Sequence, residues 1–138
     1  KECTVSEEWK NFQNFKIWYK DYKGKVKQDL DKDILFQGNK EYSPETCVYT
    51  THFINTVFED RGSKKLEETK EGKYKIFMMI MGEERDLGVF DTKEECYEAF
   101  EKRKKEFIIK LAEKTKKKDK IPECQYQAMI NWEVKAKE

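Results

Sequence analysis

Aromatic residues recur at helical spacing near the start of the chain. Within residues 6–20, Trp9, Phe12 and Phe15 are three positions apart, which predicts an apolar stripe along one side of a helix. Ser6 can cap the start of this helix. We expect the stripe to face a core, and an exposed platform on which nucleobases stack is the alternative.

The next apolar segments are short and extended. Residues 29–36 predict a strand that ends in a Gly-Asn turn, and a second extended piece surrounds residues 47–49. Residues 51–60 predict a helix that carries His52 and Asn55 on one face, because they are three positions apart. This part of the chain is therefore expected to contain two short strands followed by a helix.

A strongly apolar segment, KYKIFMMIM, begins at Lys73 and predicts a strand. A turn at Gly82-Glu83 and the return strand ERDLGVF complete a β-hairpin over residues 73–90. Thr92 and Glu95 then form a capping box at the start of a long helix. This helix has an apolar side that can lie on the sheet, and IPECQYQAMINWEV predicts a short helix after it.

Polar residues separate these two groups of elements. Residues 59–72 contain two glycines and almost no apolar side chains, which predicts a linker. The sequence therefore predicts an α+β fold with two modules, residues 1–58 and 73–138. In the second module, a hairpin or three-stranded sheet would pack against the long helix, with the short C-terminal helix beside it.

Composition and charge narrow the possible classes of protein. Hydrophobic residues make up 37% of the chain, charged residues 41% and aromatic residues 14%, so we expect a thin core built on large rings. A net charge of +1 gives no strong general attraction to nucleic acid or anionic membranes. Residues 102–120, however, contain ten Lys or Arg against three acids; this segment is either a binding surface or a solvated helix face.

Several features argue for a cytoplasmic protein. The sequence lacks a run of 18 apolar residues, so we expect neither a membrane span nor a membrane partner. Its start, KECTVSEEW, does not match a signal peptide. Four widely separated cysteines favour reduced thiols over a zinc site.

Three stretches of the first module carry a family resemblance. CTVSEEWKNFQNF, LDKDILFQGNKEYSPETC and the later Asn55 resemble the phage-encoded HNH-endonuclease-like proteins, over residues 3–58. That resemblance implies a ββα module in which Asp31 and Asn55 are metal ligands; we expect no cofactor, and a weakly bound divalent metal is the alternative. Lys32 stands where the family has its general-base histidine, and an ordinary lysine is protonated at neutral pH. We therefore expect a degenerate module without a catalytic residue; turn stabilisation is the alternative role for Asp31 and Asp33.

The second module carries another resemblance. GKYKIFMMIMGEERDLGVFDTKEECYEAF resembles the small ethylene-response-factor-type (APETALA-type) DNA-binding domain. Domains of that type lay a three-stranded sheet in the major groove, which implies double-stranded DNA as the partner. With phosphate contacts from the basic helix, the implied nucleic-acid-binding residues are Lys73, Lys75, Arg85, Arg103, Lys104, Lys105 and Lys110.

The apolar strand of the hairpin predicts a different kind of surface. Side chains alternate along a strand, so Ile76, Met78 and Ile80 should share the face that covers the helix. An apolar face on the opposite side is typical of a protein-binding patch, and the alternative is that another part of the chain covers it. The candidate protein-binding residues on that side are Phe77, Met79 and Met81.

Three functions fit these patterns, and we favour the first. It is a phage DNA-binding protein that resembles HNH homing endonucleases but does not cleave DNA. The second is a phage inhibitor, similar to anti-CRISPR proteins, that binds a host defence nuclease or its nucleic-acid complex by protein–protein contact. The third is an active metal nuclease in which His52 replaces the missing base. A phage protein of any of these kinds would act in the cytoplasm of the host cell.

Overall fold

A computed structural model gives the fold and describes residues 3–22, 29–59, 63–119 and 121–136. Helices and strands are mixed, as predicted, and include a long helix, a three-stranded sheet and a short C-terminal helix. In chain order the elements are β1 (Thr4–Val5), α1 (Glu7–Lys10), α2 (Phe12–Asp21), β2 (Asp29–Asp31), β3 (Glu41–Tyr42), β4 (Val48–Thr50), α3 (His52–Val57), β5 (Lys64–Glu68), β6 (Tyr74–Ile80), β7 (Glu83–Phe90), α4 (Lys93–Asp119) and α5 (Glu123–Ile130).

The N-terminal aromatic segment forms two helices where its pattern predicted one. Asn11 has an extended backbone (φ −88°, ψ 112°) that ends α1. Its side chain accepts a hydrogen bond from the amide of Gln13 at 2.9 Å and so starts α2. Because the helical spiral is broken here, Trp9 is buried whereas Phe12 is 67% exposed. The prediction of one continuous apolar stripe is therefore wrong at Phe12.

Two short strands and a helix follow, in the order that the sequence predicts. β2 pairs antiparallel with β4, which places Asp29 opposite Thr50 and Asp31 opposite Val48. The hydroxyl of Thr51 accepts a hydrogen bond from a backbone amide in the first turn of α3 and caps that helix. β1 and β3 form a separate parallel pair beside them. The order of elements alone does not assign this part of the chain to a family.

An antiparallel sheet with strand order β5-β6-β7 forms the second half. Its edge strand β5 lies within residues 59–72, so the predicted linker is wrong for that strand; residues 60–62 of this segment lie outside the described residues. An edge strand with only one covered face can carry many charges. Leu66 packs against the core, whereas Lys65 forms an exposed ion pair with Glu84 at 2.9 Å.

The long helix α4 covers one face of this sheet. Ile76, Met78 and Ile80 are buried in the cluster that contains the helix residues Cys96, Phe100, Ile108 and Ala112, which confirms the predicted core face of β6. The capping box is also confirmed, because Thr92 and Glu95 each accept a hydrogen bond from the other's backbone amide. Although α4 has 27 residues, neither it nor any other helix in the described ranges is long and apolar enough to cross a membrane.

The hairpin turn lies one residue earlier than predicted. Its central residues are Met81 and Gly82, with φ values of 53° and 80°, and β7 begins at Glu83. Two residues with positive φ suit the twist of the paired strands. Methionine seldom adopts positive φ because its Cβ approaches the backbone. Met81 is thus a strained loop residue, where the pattern predicted the end of a strand.

Both halves of the chain contribute to one buried core. Phe58 and Trp132 pack edge to face with their ring centres 5.0 Å apart. The hydroxyl of Tyr22 donates a hydrogen bond to the side chain of Gln125 at 3.0 Å, and Gln125 is fully buried. The predicted modules therefore pack against each other, and the boundary drawn between them stays a prediction.

Candidate functional site

Three polar side chains converge where β2 meets the start of α3. Asp29 Oδ2 lies 2.9 Å from Nδ1 of His52 and accepts a hydrogen bond from the Asn55 amide at 3.4 Å. The pairing of β2 with β4 brings Asp29 beside Thr50, and α3 begins two residues later. The contact of Asn55 is therefore with Asp29, which the sequence analysis missed. Side chains two positions apart point to the same side of a strand, and that rule could have placed Asp29 beside Asp31.

Asp31 holds a turn in the backbone. Its Oδ2 accepts hydrogen bonds from the amides of Asp33 at 3.0 Å and Ile34 at 2.6 Å, and the residue is 7% exposed. Burial raises the pKa of Asp31 to about 7; the negative charge of Asp33 adds to this rise, and the bond from Ile34 opposes it. With these contacts, the Asp31 carboxyl group stabilises a turn, which is the alternative role that the sequence analysis gave for this residue.

A cleft of about 430 Å³ brings the two predicted metal ligands to one place. Asp31 and Asn55 both line it, together with Lys32, Tyr42 and Trp132. Mg²⁺ and Ca²⁺ sites in proteins use several oxygen ligands, carboxylates foremost. Nowhere in the described part of the chain do three or more His, Cys, Asp or Glu side chains lie close enough to hold a metal ion. A carboxyl group that already holds a turn and one amide form a poor site, so the metal-binding role of Asp31 and Asn55 stays a prediction.

Lys32, at the position expected for a general base, remains a cation. Burial lowers its pKa, but the Asp33 carboxylate and the neighbouring Tyr42 and Cys3 side chains outweigh that effect, and the pKa of Lys32 is raised overall. Its ammonium group also lies 5.4 Å from the centre of the Tyr42 ring. A lysine with a raised pKa keeps its proton at neutral pH and cannot accept one from water.

The predicted DNA-binding residues of the sheet each have an acidic partner. Lys73 pairs with Asp91 at 3.6 Å, Lys75 with Asp86 at 3.2 Å and Arg85 with Glu83 at 3.8 Å. Lys65, beside them on β5, pairs with Glu84. These acidic partners offset much of the positive charge of the sheet, although the 3.8 Å pair of Arg85 with Glu83 is long and exposed.

Two predicted DNA-binding residues of α4 point into the protein. Lys104 is 4% exposed, and its ammonium group lies 5.9 Å from the centre of the Phe100 ring. Lys105 donates hydrogen bonds to the carbonyl groups of Ile130 and Trp132, and burial lowers its pKa. Because these groups are enclosed or engaged, the structure contradicts a phosphate-contacting role for Lys104 and Lys105.

Five other basic residues of α4 lie along one exposed side of the helix. Arg103 and Lys110 were predicted to bind nucleic acid, whereas the other members were not named. The spacing of seven, four and three residues from Arg103 to Lys117 could have revealed a shared helix face, and Lys118 lies beside it. Within this row, only Arg103 has an acidic partner among the described residues, Glu106 at 3.9 Å. We call this row the basic stripe: Arg103, Lys110, Lys114, Lys117 and Lys118, all of them exposed.

The predicted protein-binding face is mostly covered. Phe77 is buried, and the ammonium groups of Lys65 and Lys75 lie 5.5 and 5.3 Å from the centre of its ring. Met79 is half-buried, and Met81 at the hairpin turn is 52% exposed. Of the three predicted residues, only Met81 is therefore available to a partner without rearrangement. The prediction of an open patch of Phe and Met side chains is wrong.

No protein-family model, curated protein or solved structure matches this chain. The two family resemblances noted in the sequence therefore stay predictions.

Proposed function

We propose that this protein binds double-stranded DNA through the basic stripe of α4 and does not cleave it. The observation that carries the proposal is the exposed row of five cations on one helix face, four of which have no acidic partner among the described residues. The resemblance of the sequence to phage HNH-endonuclease-like proteins supports a phage origin for such a DNA-binding protein.

The dimensions of the stripe suit a phosphate backbone. Residues 103–117 extend for about 21 Å along the helix axis, at 1.5 Å per residue. Exposed lysine and arginine side chains can reach several consecutive phosphates over that length, and each contact releases a condensed counterion. Affinity should therefore fall steeply as the salt concentration rises.

The sheet contributes little to this mode of binding. In ethylene-response-factor-type domains the sheet enters the major groove, and a surface in that position needs positive charge. Here Asp86 and Glu84 offset the charges of Lys75 and Lys65, whereas the 3.8 Å pair of Arg85 with Glu83 is weak. Contacts to phosphates position a protein on DNA without reading its sequence, so we expect weak sequence specificity.

The cleft beside β2 supports binding without cleavage. Lys32 keeps its proton, and Asp31 uses Oδ2 to hold a backbone turn. Loss of a positioned general base typically costs about 100- to 10,000-fold in rate. We therefore expect no nicking of plasmid DNA in the presence of Mg²⁺ or Mn²⁺.

A gel-shift or anisotropy titration with a random DNA duplex across salt concentrations tests the proposal. Replacing Lys110, Lys114 and Lys117 together with Gln should lower the slope of log affinity against log salt by about 2.7, at 0.9 per phosphate contact. Affinity should fall about a hundredfold if each contact contributes about 1 kcal/mol. The matched control replaces three exposed lysines elsewhere with Gln: Lys16, Lys20 and Lys70.

The control distinguishes a specific surface from general charge. Equal losses in the stripe variant and the control variant would show that the protein binds DNA only through its overall charge. An unmodified protein that fails to bind the duplex at low salt would refute the proposal.

A second candidate function is supported by the hairpin turn. Met81 is exposed, its backbone is strained, and Glu83 and Glu84 follow it after Gly82. An apolar side chain beside carboxylates fits a basic protein surface, such as the nucleic-acid channel of a host defence nuclease. Binding to a purified effector of that class that Met81→Asp abolishes, together with no shift of duplex DNA, would favour the inhibitor over the DNA-binding protein.

A further inference from the structure

A groove of about 340 Å³ lies between β7 and α4. Arg85 lines it from the sheet, and Arg103 and Lys110 line it from the helix. Since the last two residues belong to the basic stripe, the groove opens directly onto the proposed DNA-binding surface. One wall of the groove is apolar and consists of Met78, Leu87 and Phe107.

The charges in the groove favour an anion. Two carboxylates, Asp86 and Glu106, also line the groove. Asp86 accepts hydrogen bonds from the Gly88 amide at 2.8 Å and from Lys75 at 3.2 Å, and neither donor is one of the three cations that line the groove. Glu106 faces Arg103 at 3.9 Å, and both side chains are more than half exposed. Such a long, exposed ion pair is weak, so a phosphate group can replace Glu106 as the partner of Arg103.

Arg85 is held in a favourable position for that role. Its guanidinium carbon lies 5.3 Å from the centre of the Phe107 ring, and its ion pair with Glu83 is 3.8 Å long and exposed. Stacking on a ring orients the planar guanidinium group and leaves its N–H donors at the edge. A planar donor group of this kind binds a phosphate through two hydrogen bonds.

We infer that this groove binds one nucleotide as its 5′-monophosphate. The phosphate contacts Arg85, Arg103 and Lys110, and the apolar part of the nucleoside packs on Leu87 and the edge of Phe107. The volume lies within the range of small-ligand sites, about 300–1,000 Å³. The inference extends the proposed DNA binding, since the stripe supplies two of the three cations. The nucleotide can be free in solution or the phosphorylated end of a DNA strand.

Calorimetric titration with deoxyadenosine 5′-monophosphate, inorganic phosphate and deoxyadenosine tests this site. The nucleotide should bind at least about tenfold more tightly than phosphate or the nucleoside, because only the nucleotide makes both kinds of contact. Arg85→Gln and Lys110→Gln should each weaken nucleotide binding about tenfold. Lys70→Gln, at an exposed position outside both the groove and the stripe, is the control and should leave nucleotide binding unchanged.

Three outcomes would overturn the inference: no nucleotide binding, nucleotide binding no tighter than phosphate binding, or an equal loss in Lys70→Gln. Circular dichroism melting curves check that each variant is folded. Failure of duplex binding with intact nucleotide binding would refute the proposed function and keep this site. The reverse result would refute only the site.

A single-stranded decamer with and without a 5′-phosphate distinguishes the two sources of the nucleotide. Preference for the phosphorylated strand by about tenfold assigns the groove to a strand end. Equal affinity for the two strands, with the free nucleotide still bound, assigns it to a nucleotide in solution. Either result supports the inferred ligand chemistry.

Discussion

The cleft around Asp31 and the basic stripe of α4 both contain charged residues with the spacing of a binding site. In the cleft, Asp31 accepts two backbone hydrogen bonds. On the stripe, Lys110, Lys114 and Lys117 have no acidic partner among the described residues. The comparison teaches that the contacts a charged group already makes, more than its place in a sequence pattern, decide whether it can bind a ligand.

The largest effect should come from the buried carboxyl group of the cleft. Folded protein keeps a proton on Asp31 up to about pH 7, whereas the ordinary carboxyl value is 3.8. The folded state therefore binds more protons between these values, and its free energy of unfolding should fall as the pH rises through this window. The pKa difference corresponds to on the order of 4 kcal/mol.

Urea denaturation at pH 5 and pH 8 measures this effect. Asp31→Asn keeps an acceptor oxygen for the turn but carries no charge, so it should remove most of the difference and be more stable than the original protein at pH 8. If the original protein were instead most stable at pH 8, Asp31 would be an ionised and well-compensated carboxylate.

Lys105 and Lys110 are both lysines of α4, but substitution of Lys105 should lower the free energy of unfolding more than substitution of Lys110. Lys105→Met removes the charged donor from the carbonyl groups of Ile130 and Trp132 and should cost about 2 kcal/mol in chemical denaturation. Lys110→Met should leave stability nearly unchanged and weaken DNA binding. Equal effects of the two substitutions on DNA affinity would remove the distinction between inward and outward basic residues.

Neutralising acidic residues of the sheet should let its lysines bind DNA, as we propose for the basic stripe. Asp86→Asn releases Lys75 from its ion pair, and Glu84→Gln removes one of the two carboxylates that pair with Lys65, the other being Glu67 at 3.1 Å. Duplex affinity at low salt should rise about tenfold. The control pair, Glu8→Gln with Glu45→Gln, changes the net charge equally at other exposed positions. A rise of the same size in both variants would show that overall charge, and not the pairing on the sheet, is responsible.

The smallest effect should come from the strained backbone of Met81 in the hairpin turn. Asn tolerates positive φ better than Met does, so Met81→Asn should stabilise the protein by about 0.5–1 kcal/mol in thermal unfolding. DNA affinity should not change. A destabilised variant would mean that the methionine side chain makes contacts that exceed its backbone strain.

Local patterns predicted much of the fold but less of the site. The alternation of Ile76, Met78 and Ile80 and the Thr92–Glu95 capping box depend on neighbours close in sequence, and the structure has both. β5 was missed because an edge strand with one covered face shows little apolar signal. The partners of Asp29 and Lys105 were missed because they are set by contacts between distant parts of the chain.

The contact between Gln37 and Glu133 has a consequence for how this chain folds during synthesis. Gln37 donates to the Glu133 carbonyl at 2.7 Å and accepts from its amide at 3.1 Å across 96 positions, and Tyr22 reaches Gln125 across 103. Contacts so remote slow folding, because a long loop must close before they form. While a ribosome is still producing residues 121–136, Phe58 lacks its Trp132 partner and its ring stays uncovered. The nascent first half should therefore remain open to chaperones and proteases until that segment emerges.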